Sequence, residues 1–143
     1  MIDRDAVAAW ESLFRAQVAV MRRISADFPS REISLNEYDV LFNLSRHPDH
    51  QLRLRDLNKD VLLAQPSVSR LIDRLAARGL VNKSLDPNDR RGALISLTES
   101  GLALFRRVAH EHMESITARV AGALSPQELA DLARITEKLR ANV

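Results

Sequence analysis

Leu80-Val81-Asn82-Lys83-Ser84-Leu85-Asp86-Pro87-Asn88-Asp89-Arg90-Arg91-Gly92-Ala93-Leu94-Ile95-Ser96-Leu97 breaks the rhythm of a chain that elsewhere repeats its apolar residues at helical spacing. Two short apolar runs, 80–84 and 93–97, read as strands. Between them Leu85–Gly92 is rich in turn formers and carries two adjacent arginines. The stretch therefore predicts a β-hairpin with a long basic turn, and Arg90 and Arg91 at a tip where nothing can bury them.

Upstream, Pro66 suits the first turn of a helix, where its missing N–H does no harm, and Gly79 suits the position just past the end. The helix predicted over 66–78 turns Val68, Leu71, Ile72 and Leu75 inward. A short helix is expected over 54–59. Before it, Ser34 and Glu37 have the spacing of a capping box and open a helix whose buried face is Leu35, Tyr38, Leu41, Phe42 and Leu44. Val7, Trp10, Phe14, Val18, Met21, Ile24 and Phe28 form one stripe of a long first helix that ends at Pro29. After the hairpin, Thr98 can cap a helix over 99–122 with Leu102, Phe105, Val108, His112, Ile116 and Val120 on one face. Ser125 and Glu128 form a second capping box, ahead of a last helix carrying Leu129, Leu132, Ile135 and Leu139.

The expected fold class is mainly α with a small β-hairpin wing. It is a single domain, 1–143, in which 34–97 form a winged helix-turn-helix flanked by dimerisation helices at 1–30 and 99–143. At 143 residues a chain can bury a core without covalent staples. The absence of cysteine removes disulfides, thiolate zinc sites and thiol nucleophiles. No window approaches roughly 18 uncharged apolar residues, so no membrane span is expected. Met1–Asp5 lacks the cationic start and apolar run of a secretory leader. The expected address is the cytoplasm.

The net charge is only +2, but it is unevenly placed. Between Arg53 and Arg91 nine Lys and Arg stand against five Asp and Glu, and 18 of the 21 cations in the chain are arginine. Arginine presents a planar fork suited to phosphates and guanine edges. On the helix at 66–78, Arg70, Arg74 and Arg78 stack at four-residue spacing, where like charges repel and an external anion would relieve them. Ser67 and Ser69 are short enough for the helix N-terminus to approach a nucleic-acid backbone. This combination fits a helix that enters a major groove, with a hairpin whose arginines fit a minor groove. The competing reading is an amphipathic surface helix with Asp73 paired to a neighbouring arginine.

The hairpin motif Asp86-Pro87-Asn88-Asp89-Arg90-Arg91, the following Leu97-Thr98-Glu99-Ser100-Gly101, and Pro66–Leu75 resemble the MarR-type (multiple-antibiotic-resistance) transcription regulators. The resemblance covers nearly the whole chain. It implies a homodimer that binds a pseudo-palindromic operator in double-stranded DNA, usually as a repressor, and that a small-molecule effector usually releases. Carried over by position, Asp89 would orient the wing, Arg91 would enter the minor groove and Arg90 would contact phosphate. Ser67, Ser69, Arg70 and Arg74 would face bases and phosphates in the major groove. The chain departs from the pattern at Asn58–Ala64, which is unusually apolar for the turn between the two motif helices.

The winged module alone cannot cover the stripes of the flanking helices. The first, at about 24 residues, is roughly 36 Å long. A second copy is the simplest cover, and it would set two recognition helices about one duplex turn apart, near 34 Å. The resemblance implies an effector site between the dimer helices and the DNA-reading module, for which Trp10, Phe14, Tyr38 and Phe42 are the candidates; plain core is their other reading. Of the histidines, His110 and His112 lie two apart on a helix and share no face, while His47 and His50 lie in a loop, so no metal site and no cofactor is expected. Asp86 and Asp89 read as carboxylates of a solvated loop. Phosphate loops, nucleophile elbows and HExxH are absent, so no enzyme is expected. The alternative function is a winged-helix protein-interaction module that never touches DNA.

Overall fold

Every helix but the short Leu54–Asp60 begins where a short side chain takes up an orphan backbone N–H. In the computed structural model, which describes residues 1–61 and 67–143 except for the Arg90 side chain, Ser34 Oγ accepts from Glu37 N–H at 3.1 Å while Glu37 Oε1 accepts from Ser34 N–H at 2.9 Å. Ser125 and Glu128 repeat this box. Asp3 caps the first helix through the N–H groups of Asp5 and Ala6. The element order is α1 (Arg4–Asp27), α2 (Leu35–Ser45), β1 (Gln51–Arg53), α3 (Leu54–Asp60), α4 (Val68–Ala77), β2 (Val81–Asp86), β3 (Asp89–Leu97), α5 (Glu99–Val120) and α6 (Pro126–Ala141). The predicted helix start at Pro66 and the apolar residues Leu62–Ala64 lie outside the described residues.

The chain divides into two compact units, Pro29–His110 and Met1–Phe28 with Glu111–Val143. The first unit is a winged helix. Its sheet has the order β1-β3-β2, with both pairings antiparallel. Leu52 of β1 and Lys83 of β2 both stand opposite Ile95 of the central strand. The core is Val40, Leu41, Leu44, Leu57, Ile72, Leu75 and Ile95, all fully buried. Each such aliphatic side chain contributes about 1.5–3 kcal/mol by leaving water.

Three expectations are corrected. The first is that β1 joins the hairpin as a third strand; at three residues, Gln51–Arg53 is too short for alternation to reveal it. The second is the face of α2, which is wider than one stripe. Val40, Asp39 and Asn43 are also buried, while Leu35 and Phe42 are only half-buried. Asn43 Nδ2 donates to the Asp39 carbonyl at 2.8 Å and to Asp39 Oδ1 at 3.1 Å, which lets the polar pair sit inside. The third is the buried line of α5, which is Gly101, Leu104, Val108 and His112, so Leu102 and Phe105 are half-buried. The line is set by Gly101, whose Cα passes so close to the Leu80 carbonyl that a side chain would collide with it. Thr98 closes the same knot: its Oγ1 donates to the Gly79 carbonyl at 2.7 Å and accepts from Gly101 N–H at 2.9 Å. Gly79, at φ +73°, makes the left-handed turn that α4 needs to end there.

In the second unit the end of α1 is held to α5. Asp27 Oδ2 accepts from Arg119 Nε at 2.9 Å, and the Phe28 ring meets His112 edge-on at 5.2 Å. Val7, Trp10 and Phe14 on α1, and Leu132, Ile135 and Leu139 on α6, are exposed.

Candidate nucleic-acid interface

α4 buries one face and presents the other. Val68, Leu71, Ile72 and Leu75 are in the core, while Ser69, Arg70, Asp73, Arg74, Ala77 and Arg78 are exposed. Ser67 is the N-cap, and its Oγ accepts from Arg70 N–H at 3.2 Å. The three-arginine stripe is reduced to two, because Arg78 Nη1 reaches back to the Glu32 carbonyl at 2.6 Å. Asp73 pairs at 3.3 Å with Lys83 of β2 and not with a neighbouring arginine. That contact ties the exposed side of α4 to the wing. Among the described residues Arg70 and Arg74 have no ion pair, so their guanidinium groups project without a counter-charge.

The wing is tighter than a long loop. β2 runs to Asp86 and β3 starts at Asp89, leaving only Pro87 and Asn88 as the turn. Proline sets the first turn dihedral, and Asp86 Oδ1 accepts from Asn88 N–H at 2.9 Å. The register then jumps: Asp86 stands opposite Asp89, whereas Leu85 stands opposite Ala93. Arg90, Arg91 and Gly92 therefore belong to β3 but bulge out of the ladder just beyond the turn; they are not at its tip. A bulge re-aims side chains and leaves backbone groups without strand partners. Asp89 Oδ1 takes up one of these, the Arg91 N–H, at 3.0 Å, and the Arg91 side chain is exposed. The expected phosphate contact of Arg90 lies outside the described side chains.

Asp86 corrects another expectation. It is buried, at 5% exposure, rather than solvated. Arg53 Nε of β1 lies 2.8 Å from its Oδ2, as an ion pair too oblique for a hydrogen bond. A carboxylate taken out of water needs such a partner. Arg53 thus braces the wing turn from the strand that the sequence did not disclose. Glu32, which anchors both Arg78 and Arg107, was likewise not foreseen.

The effector-site candidates fall in different units. Trp10 and Phe14 form an exposed ring pair, 5.8 Å between centroids, on α1. In the winged unit Tyr38 stacks on Phe105 at 5.2 Å, Phe42 lies 6.5 Å from Phe105, and Arg46 sits over the Phe42 ring. Burial pushes the Tyr38 phenol above its ordinary range. Among the described residues no group of three His, Asp or Glu is placed to hold a metal ion, and no helix is long and apolar enough to cross a membrane.

Residues 33–92 match the model of the MarR family. Among solved structures the chain is similar to AbsC, a MarR family transcriptional regulator from Streptomyces coelicolor, at 27% identity over 99% of this chain and 98% of that one, with a TM-score of 0.76. It is similar to BpsR of Bordetella bronchiseptica, whose DNA binding is regulated by 6-hydroxynicotinic acid, at 27% identity over 91% of each chain and a TM-score of 0.75. It shares the fold of Sco3205, a MarR family regulator from Streptomyces coelicolor solved in complex with DNA, at 22% identity over 99% of this chain and 89% of that one, with a TM-score of 0.79.

Proposed function

Because residues 33–92 match the model of the MarR family, we propose that the protein is a regulator of that family, a sequence-specific DNA-binding transcription regulator that works as a ligand-responsive repressor. It acts by binding and not by catalysis, and its place of action is the cytoplasm. One observation carries this reading. Arg70 and Arg74 on α4 and Arg91 on the wing are exposed in one unit, and the Asp73–Lys83 pair ties helix to hairpin. Ser67 and Ser69 let the start of α4 approach the major groove, where Arg70 and Arg74 reach bases and phosphates. Asp89 fixes the bulge, Arg91 enters the minor groove and Arg90 contacts phosphate.

The winged module, 34–97, reads the duplex, and the flanking segments, 1–30 and 99–143, make a homodimer. The exposed Val7, Trp10 and Phe14 of α1 and Leu132, Ile135 and Leu139 of α6 are the surface that a second copy covers. A two-fold dimer matches a pseudo-palindromic operator. The effector is a small molecule, by analogy with BpsR; Trp10, Phe14, Tyr38 and Phe42 are the candidate lining.

Selecting bound fragments from random duplex with the full-length protein tests this. The expected yield is an inverted repeat with half-sites about one helical turn apart. Failure to retain any duplex would refute it in favour of a winged helix that binds protein.

A further inference from the structure

The bulge carrying Arg91 borders an open furrow of about 240 Å³, whose other wall is the start of α3. Its polar lining is Arg53, Arg55, Asn58, Asp86, Asp89 and Arg91. Most of these groups are already committed. Arg53 and Asp86 answer each other at 2.8 Å. Asp89 Oδ1 holds the Arg91 N–H at 3.0 Å. Asn58 uses one amide proton on the Leu54 carbonyl at 3.2 Å and keeps the other, since a carboxamide has two. Arg55 and Arg91 are exposed and have no ion pair among the described residues. Once the Arg53–Asp86 pair is set aside, two guanidinium groups face the single carboxylate of Asp89. The furrow therefore keeps a surplus positive charge and a spare amide donor.

We propose that this furrow seats one backbone phosphate of bound duplex, gripped by Arg55 with Asn58, while Arg91 passes beside it into the minor groove. The inference rests on the regulator reading and adds to it a contact that carries no sequence information. The B-DNA minor groove is only about 6 Å wide, so an arginine inside it has a phosphate within a side chain's length. The furrow is open and Arg55 and Arg91 are solvated, which suits a ligand held from several directions by the rest of an interface. Arg55 is separate from α4, so its effect is separable from base readout.

The test uses the full chain, several labelled duplexes of different sequence, each of about 30 base pairs or roughly three helical turns, and a separate titration with inorganic phosphate. Affinity is measured across a salt series for the wild type, Arg55→Ala and Arg55→Lys, with circular dichroism melts to show that each is folded. The expected result for Arg55→Ala is a several-fold loss of affinity, equal on every duplex, and a salt slope shallower by about 0.9. Arg55→Lys should restore most of that slope. An Arg55→Ala protein with wild-type affinity and slope would overturn the proposal, as would a loss confined to particular sequences. Saturable binding of inorganic phosphate that duplex does not displace would also overturn it, by making the furrow a small-anion site. A wild type that binds no duplex would overturn the regulator reading itself, and the phosphate seat with it.

Discussion

Replacing Gly101 by alanine sets two effects of opposite sign against each other. Helix propensity alone favours alanine over glycine by about 1 kcal/mol in a helix interior. The packing here opposes it. A Cβ at 101 would fall 2.9 Å from the Leu80 carbonyl carbon and 2.9 Å from Leu97 Cδ1, and would run into the Leu80 carbonyl oxygen. That oxygen is backbone and is held by Thr98 N–H at 3.1 Å, so it cannot swing aside as a side chain could. Relief requires moving α5 off Leu80, which strains both Thr98 Oγ1 hydrogen bonds. Overpacking costs about 1–3 kcal/mol, and each weakened hydrogen bond about 0.5–1.5 kcal/mol. The expected net effect of Gly101→Ala is a destabilisation of about 2 kcal/mol or more. For a chain of this size that lowers the melting temperature by about 5–10 °C. Thermal and urea melts followed by circular dichroism read it directly. A variant as stable as the wild type, or more so, would refute the close approach of α5 to Leu80.

Asp86→Ala should loosen the wing, because it strands the Arg53 charge and removes the acceptor of Asn88 N–H; hydrogen exchange at Asn88 and Arg91 should quicken, and unchanged protection would count against the brace. Asp89→Ala should weaken duplex binding while Asp89→Asn, which keeps an acceptor for the Arg91 N–H, should largely preserve it; equal losses in both would remove the turn role. Burial holds the His112 imidazole below its ordinary 6.5, so the unfolded chain takes up that proton before the folded one. Its contribution is therefore fully present above about pH 6.5 and is lost as pH falls below it. The urea midpoint should fall on acidification less steeply in His112→Leu than in the wild type; parallel curves would exclude the linkage. Trp10→Glu with Phe14→Glu should shift sedimentation from dimer to monomer, and an unaltered dimer would show that another surface makes the interface.

What the sequence disclosed follows from which interactions are local. The capping boxes at Ser34 and Ser125, the αL turn at Gly79 and the inward face of α4 were legible because their partners lie within four residues or within one helical stripe. The long-range features were not. β1 exists because Leu52 meets Ile95, more than forty positions away, and Arg53 reaches Asp86 across the sheet. The burial of Asp86 and the capture of Arg78 by the Glu32 carbonyl are likewise tertiary. On the wing, composition identified the charge but placed Arg91 at a loop tip. The register jump opposite Leu85 and Asp86 places it on a bulge, a distinction that only strand pairing can make.

The most direct measurement is the affinity of the full-length protein for its selected duplex across a salt series, repeated for Arg70→Ala, Arg74→Ala and Arg91→Ala. Binding of the wild type should weaken steeply with salt, by about 0.9 in slope for each phosphate engaged, and each variant should lose about 1–3 kcal/mol while remaining folded. Wild-type binding that is indifferent to salt, or three variants that bind as the wild type does, would contradict a helix and wing that read adjacent grooves.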